Sequence, residues 1–280
     1  MTGEAQRLTL EAPGVRAEVL PAAGGRIGSV VVDGLELLVN DHRDDPMQWG
    51  SYPMAPWAGR IRHGTFAFRG RQHHLPLGLP PHAIHGVAYD RPWHIVDAAT
   101  IGIELDGRWP FGGRVTQRFT LDEDGLDVSM TLEADEPMPA VIGWHPWFRR
   151  TLADGDTPLT LAFAADEMLV RDGEGIPTGE RVPPPPGPWD DAFTGIREAP
   201  VLEWPGRLRL AVTSTCPWLV VYSMPAHAVC VEPQSGPPDG PNLAPEVVEP
   251  GAPLTHVMRW RWARSGGVDQ RPARISGGSR

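Results

Sequence analysis

The sequence predicts an all-β fold, a sandwich or barrel of many short strands, and three observations carry that prediction. Apolar residues recur with a period of two along most of the chain. No window is long enough, with a convincing stripe, to suggest an amphipathic helix. Glycine and proline, 32 of each in 280 residues, repeatedly interrupt regular structure and argue against long helices.

The alternation begins at Val15 to Leu20. Val30-Val31-Val32 then meets Leu35-Glu36-Leu37-Leu38 across Asp33-Gly34, a pair suited to a two-residue hairpin turn because both positions tolerate positive φ. Val115, Phe119 and Leu121 alternate with Thr116, Arg118 and Thr120. After the turn Asp122-Glu123-Asp124-Gly125, Leu126, Val128, Met130 and Leu132 face one way and Asp127, Ser129, Thr131 and Glu133 the other. That is the signature of a half-buried antiparallel pair. The pattern repeats at Leu159, Leu161 and Phe163, at Leu208, Leu210 and Val212, and at Met258, Trp260 and Trp262. Strands continue to Trp262 without a linker-like break, so residues 1–264 read as one domain. Pro183 to Pro188 reads as a surface loop. Residues 265–280, rich in Gly, Arg and Ser, read as a disordered tail.

Composition narrows the function. A formal net charge of −10 disfavours nucleic acid and anionic membranes as partners. No stretch could span a bilayer and the N-terminus has no apolar leader, so a soluble cytoplasmic protein is expected. Cys216 and Cys230 show neither metal-ligand spacing nor a disulfide framework. Tryptophan, at 11, outnumbers Phe and Tyr. Most of it suits a sandwich core, although flat apolar rings also stack on pyranose faces.

Several stretches combine chemistry with rigidity. Val229-Cys230-Val231-Glu232-Pro233-Gln234 reads as a short buried strand that ends on a carboxylate, with proline behind it and the loop Ser235 to Asn242 beyond. A carboxylate held at a strand end is a candidate general base. Val141-Ile142-Gly143-Trp144-His145-Pro146-Trp147-Phe148 repeats the design around an imidazole that can donate or accept a proton near neutral pH. Arg60, in Pro56 to Gly64, could fork onto paired hydroxyls. His82 and His85 lack an obvious third ligand, so no metal is expected and a hydrogen-bonding role is favoured for one of the two. Asp190, beside Trp189 and Phe193, can accept two hydrogen bonds. No nucleophile elbow or phosphate-cradling glycine loop is present.

In that order, Arg60-Ile61, His85-Gly86, His145-Pro146-Trp147-Phe148, Asp190 with Phe193, and Glu232-Pro233-Gln234 with Asn242, the stretches resemble the aldose 1-epimerase (mutarotase) family. The resemblance spans roughly residues 10–262. It implies a large antiparallel β-sandwich with a monosaccharide site on a concave sheet face and no cofactor. It also implies Glu232 as catalytic base, His145 as catalytic acid, and Arg60, His85 and Asp190 as sugar-binding residues. Departures from the family pattern are Gly59, where Asn often precedes the arginine, Val87, where a second glycine often follows, and Trp147-Phe148-Arg149 in place of Tyr-Phe-Asn. They leave the acid and base intact and put the choice of sugar in doubt.

The mechanism implied is ring opening. Glu232 takes the anomeric proton, His145 protonates the ring oxygen, and the ring recloses from the other face. A carboxylate and imidazolium held close together are expected to stabilise each other. The rival readings are a non-catalytic carbohydrate-binding sandwich and a hexose-phosphate 1-epimerase, the latter needing a clamp such as Arg60, Arg62 and Arg26. The chain is expected to be a monomer or homodimer.

Overall fold

The structure, a computed structural model, describes residues 7–42 and 44–264; the tail expected at 265–280 lies outside them. Period-two sequence becomes strand in nearly every stretch where it was expected. In Gly125–Ala134, Leu126, Val128, Met130 and Leu132 are buried and the intervening polar residues are half-buried. This strand pairs with Gly113–Leu121 on one edge and Leu254–Arg264 on the other, so that Phe119, Val128 and Met258 form one cross-strand row on the core face. Each such side chain, fully buried, contributes about 1.5–3 kcal/mol relative to exposure. The Asp33-Gly34 hairpin forms, with φ of 48° and 82° at its two turn residues and Val32 opposite Leu35. Its second strand is only Leu35–Glu36; Leu38 instead makes an isolated bridge to Phe148.

The strands join in one 17-stranded antiparallel sheet. From Leu254–Arg264 the pairing passes to Leu208–Ser214 and then to the far half of the 15-residue strand Asp190–Trp204. The near half of that strand pairs instead with Trp218–Tyr222, which leads to Ala228–Gln234, then Gly143–Arg149, then Ser51–Met54. Asp190–Trp204 therefore bridges two halves of a curled sheet. Its other edge pairs with Thr160–Arg171, where two register shifts lie between Ala162 and Ala165. Irregularities of this kind bend a strand and increase its twist. Fully buried Trp57, Trp109, Trp144, Trp204 and Trp260 belong to the main hydrophobic core, so much of the tryptophan is core.

Two local expectations are corrected. The strands carrying Glu232 and His145 do not stop at those residues but run through their prolines, as Ala228–Gln234 and Gly143–Arg149. Both strands are interior, yet the register tolerates the missing donors: the ladder pairs Gly143 with Gln234 and Trp147 with Cys230 and is silent between. Within the supposed loop Ser235 to Asn242, Gly240–Leu243 forms one turn of α-helix with Pro241 in its first turn, where a missing N–H costs no hydrogen bond.

Candidate active site

The site is assembled by register. The pairing that sets Gly143 against Gln234 and Trp147 against Cys230 puts His145 across from Glu232. Tyr52 is opposite His145 on the next strand, Val220 is opposite Glu232, and Ala192 is opposite Val220. One row across five strands therefore reads Tyr52, His145, Glu232, Val220, Ala192. Two residues along, on the same face because side chains alternate, a second row reads Trp147, Cys230, Tyr222, Asp190. Apart from Cys230, which is buried beneath, these residues line a cavity of about 560 Å³.

His145 Nε2 lies 3.2 Å from Glu232 Oε1, both side chains being almost wholly buried. The imidazole is sandwiched between Tyr52 (ring centroids 4.8 Å apart, planes at 22°) and Trp147 (5.3 Å, 14°). His85 meets it edge-on at 5.2 Å. Gln234 Nε2 donates to Glu232 Oε2 at 3.2 Å, fixing the second carboxylate oxygen.

The other wall comes from outside this sheet. Arg60–Ile61 and Ala83–Ile84 form a two-stranded ladder that delivers Arg60 and His85 to the cavity. His85 sits at φ 57° and its N–H donates to Gly59 O at 3.0 Å. Gly59 has φ 68°, and a Cβ there would meet Pro238 Cβ at 2.6 Å, so the glycine fits the proline of the loop facing it. That loop is tied down by Asp239, whose N–H donates to Arg60 O at 2.7 Å and whose Oδ1 accepts from Arg62 N at 3.1 Å.

Asp190 is not free. Arg171 donates to Asp190 Oδ2 at 2.9 Å and to Asp191 Oδ1 at 2.8 Å, straddling both. Arg60, by contrast, makes no hydrogen bond or ion pair to a protein side chain among the described residues and presents its guanidinium to the cavity. The clamp of Arg60 with Arg62 and Arg26 that the rival sugar-phosphate reading needs does not form. Arg62 is engaged with Asp172 and, at 2.8 Å, with Glu174. Arg26 is buried against Trp49 and donates to the carbonyls of Ala23, Trp49 and Tyr89. His82 also lies away from the cavity, its Nδ1 accepting from His63 N at 3.1 Å.

Burial dominates the electrostatics. It pushes the Glu232 carboxyl well above its ordinary range, with Asp190 adding to the effect and the Gln234 amide and Arg60 opposing it. Burial drives the His145 imidazole well below its ordinary range, with His85 adding to it. His85 falls to about 3 through burial and Arg60. Asp190 is raised by burial against the pull of Arg171 and Arg60. The ion pair expected from the sequence is thus disfavoured, because desolvation penalises both charges. Over a broad pH range the two groups hold one proton between them.

All five residues singled out in the sequence, Arg60, His85, His145, Asp190 and Glu232, line this one cavity. Sequence reasoning missed Arg171, Tyr52 and Tyr222. Arg171 belongs to no motif; its only signal was the adjacent pair Asp190-Asp191, which calls for a cation.

A curled antiparallel sheet that carries a polar cavity lined by titratable side chains defines a class of β-sandwich proteins. The family model of aldose 1-epimerase matches residues 6–261, and the chain belongs to that family. It is 29% identical over 139 residues to galactose mutarotase of Mus musculus, a match covering 45% of this chain and 40% of the relative. The matched stretch thus spans about two fifths of that curated relative's length. Among solved structures, a galactose mutarotase-like protein from Clostridium acetobutylicum superposes with a TM-score of 0.83 at 17% identity, covering 94% of this chain and 97% of that one. A putative aldose 1-epimerase from Escherichia coli K12 gives 0.78 at 20% identity, covering 92% and 99%. These likenesses show the galactose mutarotase-like fold.

Proposed function

We propose that the protein interconverts the α- and β-anomers of a free, neutral aldose by acid–base ring opening. The observation that carries this reading is the buried contact of His145 Nε2 with Glu232 Oε1 at 3.2 Å on the floor of an open cavity. Glu232, as carboxylate, takes the proton from the anomeric hydroxyl. His145 Nε2–H protonates the ring oxygen. The C1–O5 bond breaks, the aldehyde rotates about C1–C2, and closure from the other face returns both protons. Each positioned proton transfer contributes roughly 10²–10⁴-fold. Arg60 supports the carboxylate form that this requires, its positive charge opposing the upward push of burial on Glu232. Arg60, His85 and the Asp190–Arg171 pair supply donors and acceptors for the sugar hydroxyls, and Trp147 and Tyr222 supply apolar surface.

One observation favours a phosphorylated sugar instead. A Cβ built on Gly175 would have Arg60 Nη1 at 3.7 Å and Arg171 Nη1 at 3.8 Å, so the two guanidinium groups reach toward one point. Arg171 is already balanced by Asp190 and Asp191, which leaves Arg60 as a single cation and weighs against a phosphate clamp. A proton NMR panel decides. Fresh α-anomers of glucose, galactose and glucose 6-phosphate are followed to anomeric equilibrium with and without protein. Acceleration of a neutral aldose is expected. A tenfold or greater preference in kcat/KM for the phosphorylated sugar would overturn the substrate assignment, and no acceleration of any sugar would leave only a carbohydrate-binding role.

A further inference from the structure

We propose that Cys230, together with His145 and Glu232, forms a binding site for a thiophilic divalent cation of the zinc or cadmium type, and that occupancy shuts the acid–base pair down; the inhibitory half of this proposal rests on the function argued above. Cys230 takes no part in the proposed ring opening, yet it points the same way as Glu232, two residues along one strand. An imidazole nitrogen of His145, Cys230 Sγ and a Glu232 oxygen all lie within 4.8 Å of one another, and all three residues are buried. Zinc bonds of about 2.0–2.3 Å place the corners of a tetrahedron roughly 3.3–3.8 Å apart, so closure needs movements on the order of 1 Å.

The donor set suits such an ion. One thiolate, one imidazole and one carboxylate are three protein ligands of the kind zinc takes, and His145 and Glu232 reach the cavity, so a fourth position opens to solvent or sugar. His145 Nδ1 is buried and makes no hydrogen bond to another of the described residues, so no neighbour pins the ring through its second nitrogen. Binding releases the thiol proton and the proton shared by His145 and Glu232 to solvent. The cation then occupies the two groups that ring opening needs, so it competes with the sugar and serves no step of the reaction.

Cadmium titration, followed by the ultraviolet thiolate-to-cadmium charge-transfer band and by cadmium-113 NMR of the wild-type protein, reads the site without any activity. Zinc inhibition of mutarotation is measured alongside in wild type, Cys230→Ser and Cys216→Ser. The expected result is one cadmium per chain with a shift typical of a single sulfur among nitrogen and oxygen ligands. The band and the inhibition should persist in Cys216→Ser. In Cys230→Ser the metal-free rate should match wild type, while the zinc inhibition constant rises by about 10-fold or more, the scale of a lost metal partner. Inhibition unchanged in Cys230→Ser, a band that follows Cys216, or a wild-type cadmium shift without sulfur character overturns the site. A cadmium signal with no mutarotation of any sugar supports the site and rejects the catalytic reading.

Discussion

His145 and Glu232 face each other across adjacent antiparallel strands, Nε2 3.2 Å from Oε1, where each strand carries a proline immediately after the titratable residue. Neither Pro146 nor Pro233 has an N–H for the ladder. The pairing is interrupted between the Gly143–Gln234 and Trp147–Cys230 positions, and the acid–base pair occupies that gap.

Removing either partner should therefore remove catalysis without removing the fold. Glu232→Gln keeps size and hydrogen bonding but cannot accept the proton, and we expect kcat to fall at least about 10²-fold, with comparable damage from His145→Asn. Near-wild-type mutarotation in either variant, measured by polarimetry or NMR, would sink the role assignment.

The same substitution should stabilise the protein. The Glu232 pKa is raised by burial above its ordinary 4.5. Its favourable contribution is therefore complete below the unfolded value and is lost as pH rises through the folded one. Gln carries no such penalty, so Glu232→Gln should unfold at a higher temperature than wild type on the alkaline side, and the difference should shrink in acid. His145 and His85 act in the opposite sense. Both are lowered from 6.5, His85 to about 3, so their contribution is present above 6.5 and lost as pH falls toward the folded values. Thermal melts across pH check both slopes.

The rate should follow a broad bell in pH, with its limbs assigned in the reverse of the usual order. The active species is the pair holding one proton. Because burial lowers His145 and raises Glu232, the acid limb marks addition of a second proton at His145 and the alkaline limb marks loss of the proton held by Glu232. A narrow optimum between about 4.5 and 6.5, the ordinary values of the two groups, would contradict the desolvated pair.

Arg171 should matter although no motif contains it. It holds Asp190 and Asp191 at 2.9 and 2.8 Å. Arg171→Met should raise KM by about 10-fold, as expected for a charge-assisted hydrogen-bond pair lost at a binding wall, and lower kcat less. Arg171→Lys should restore only part, since an ammonium cannot straddle two carboxylates as a planar fork does. Arg62→Ala, which breaks an ion pair outside the cavity, should leave both parameters near wild type.

Asparagine at position 59, which the family resemblance would suggest, should be harmful here. Asn tolerates the φ of 68°, but its Cβ would approach Pro238 Cβ to 2.6 Å and Pro238 Cα to 2.9 Å. Gly59→Asn should cost about 1–3 kcal/mol by denaturant unfolding, the range for forced overpacking. Gly59→Asn combined with Pro238→Ala should recover part of that loss; no recovery would place the strain elsewhere.

By itself the sequence determined most of the strands and named five of the side chains that line the cavity. Alternation with period two says which face of each strand is buried, as Leu126 to Leu132 show, because that follows from local geometry alone. It also supplied titratable residues fixed beside prolines, and a family order specific enough to gather five cavity residues. What only the tertiary structure decided is which strands are neighbours and in what register. Nothing local to Glu232 says that it faces His145 rather than solvent, or that Cys230 lies within reach of both. Arg171 comes to Asp190 from another strand, and Arg62 and Arg26 are drawn away to partners of their own. Strand pairing is a long-range choice, made by summed burial and backbone hydrogen bonding over the whole sheet. Desolvation follows from that choice, which is why the expected ion pair is disfavoured only once the strands are in place.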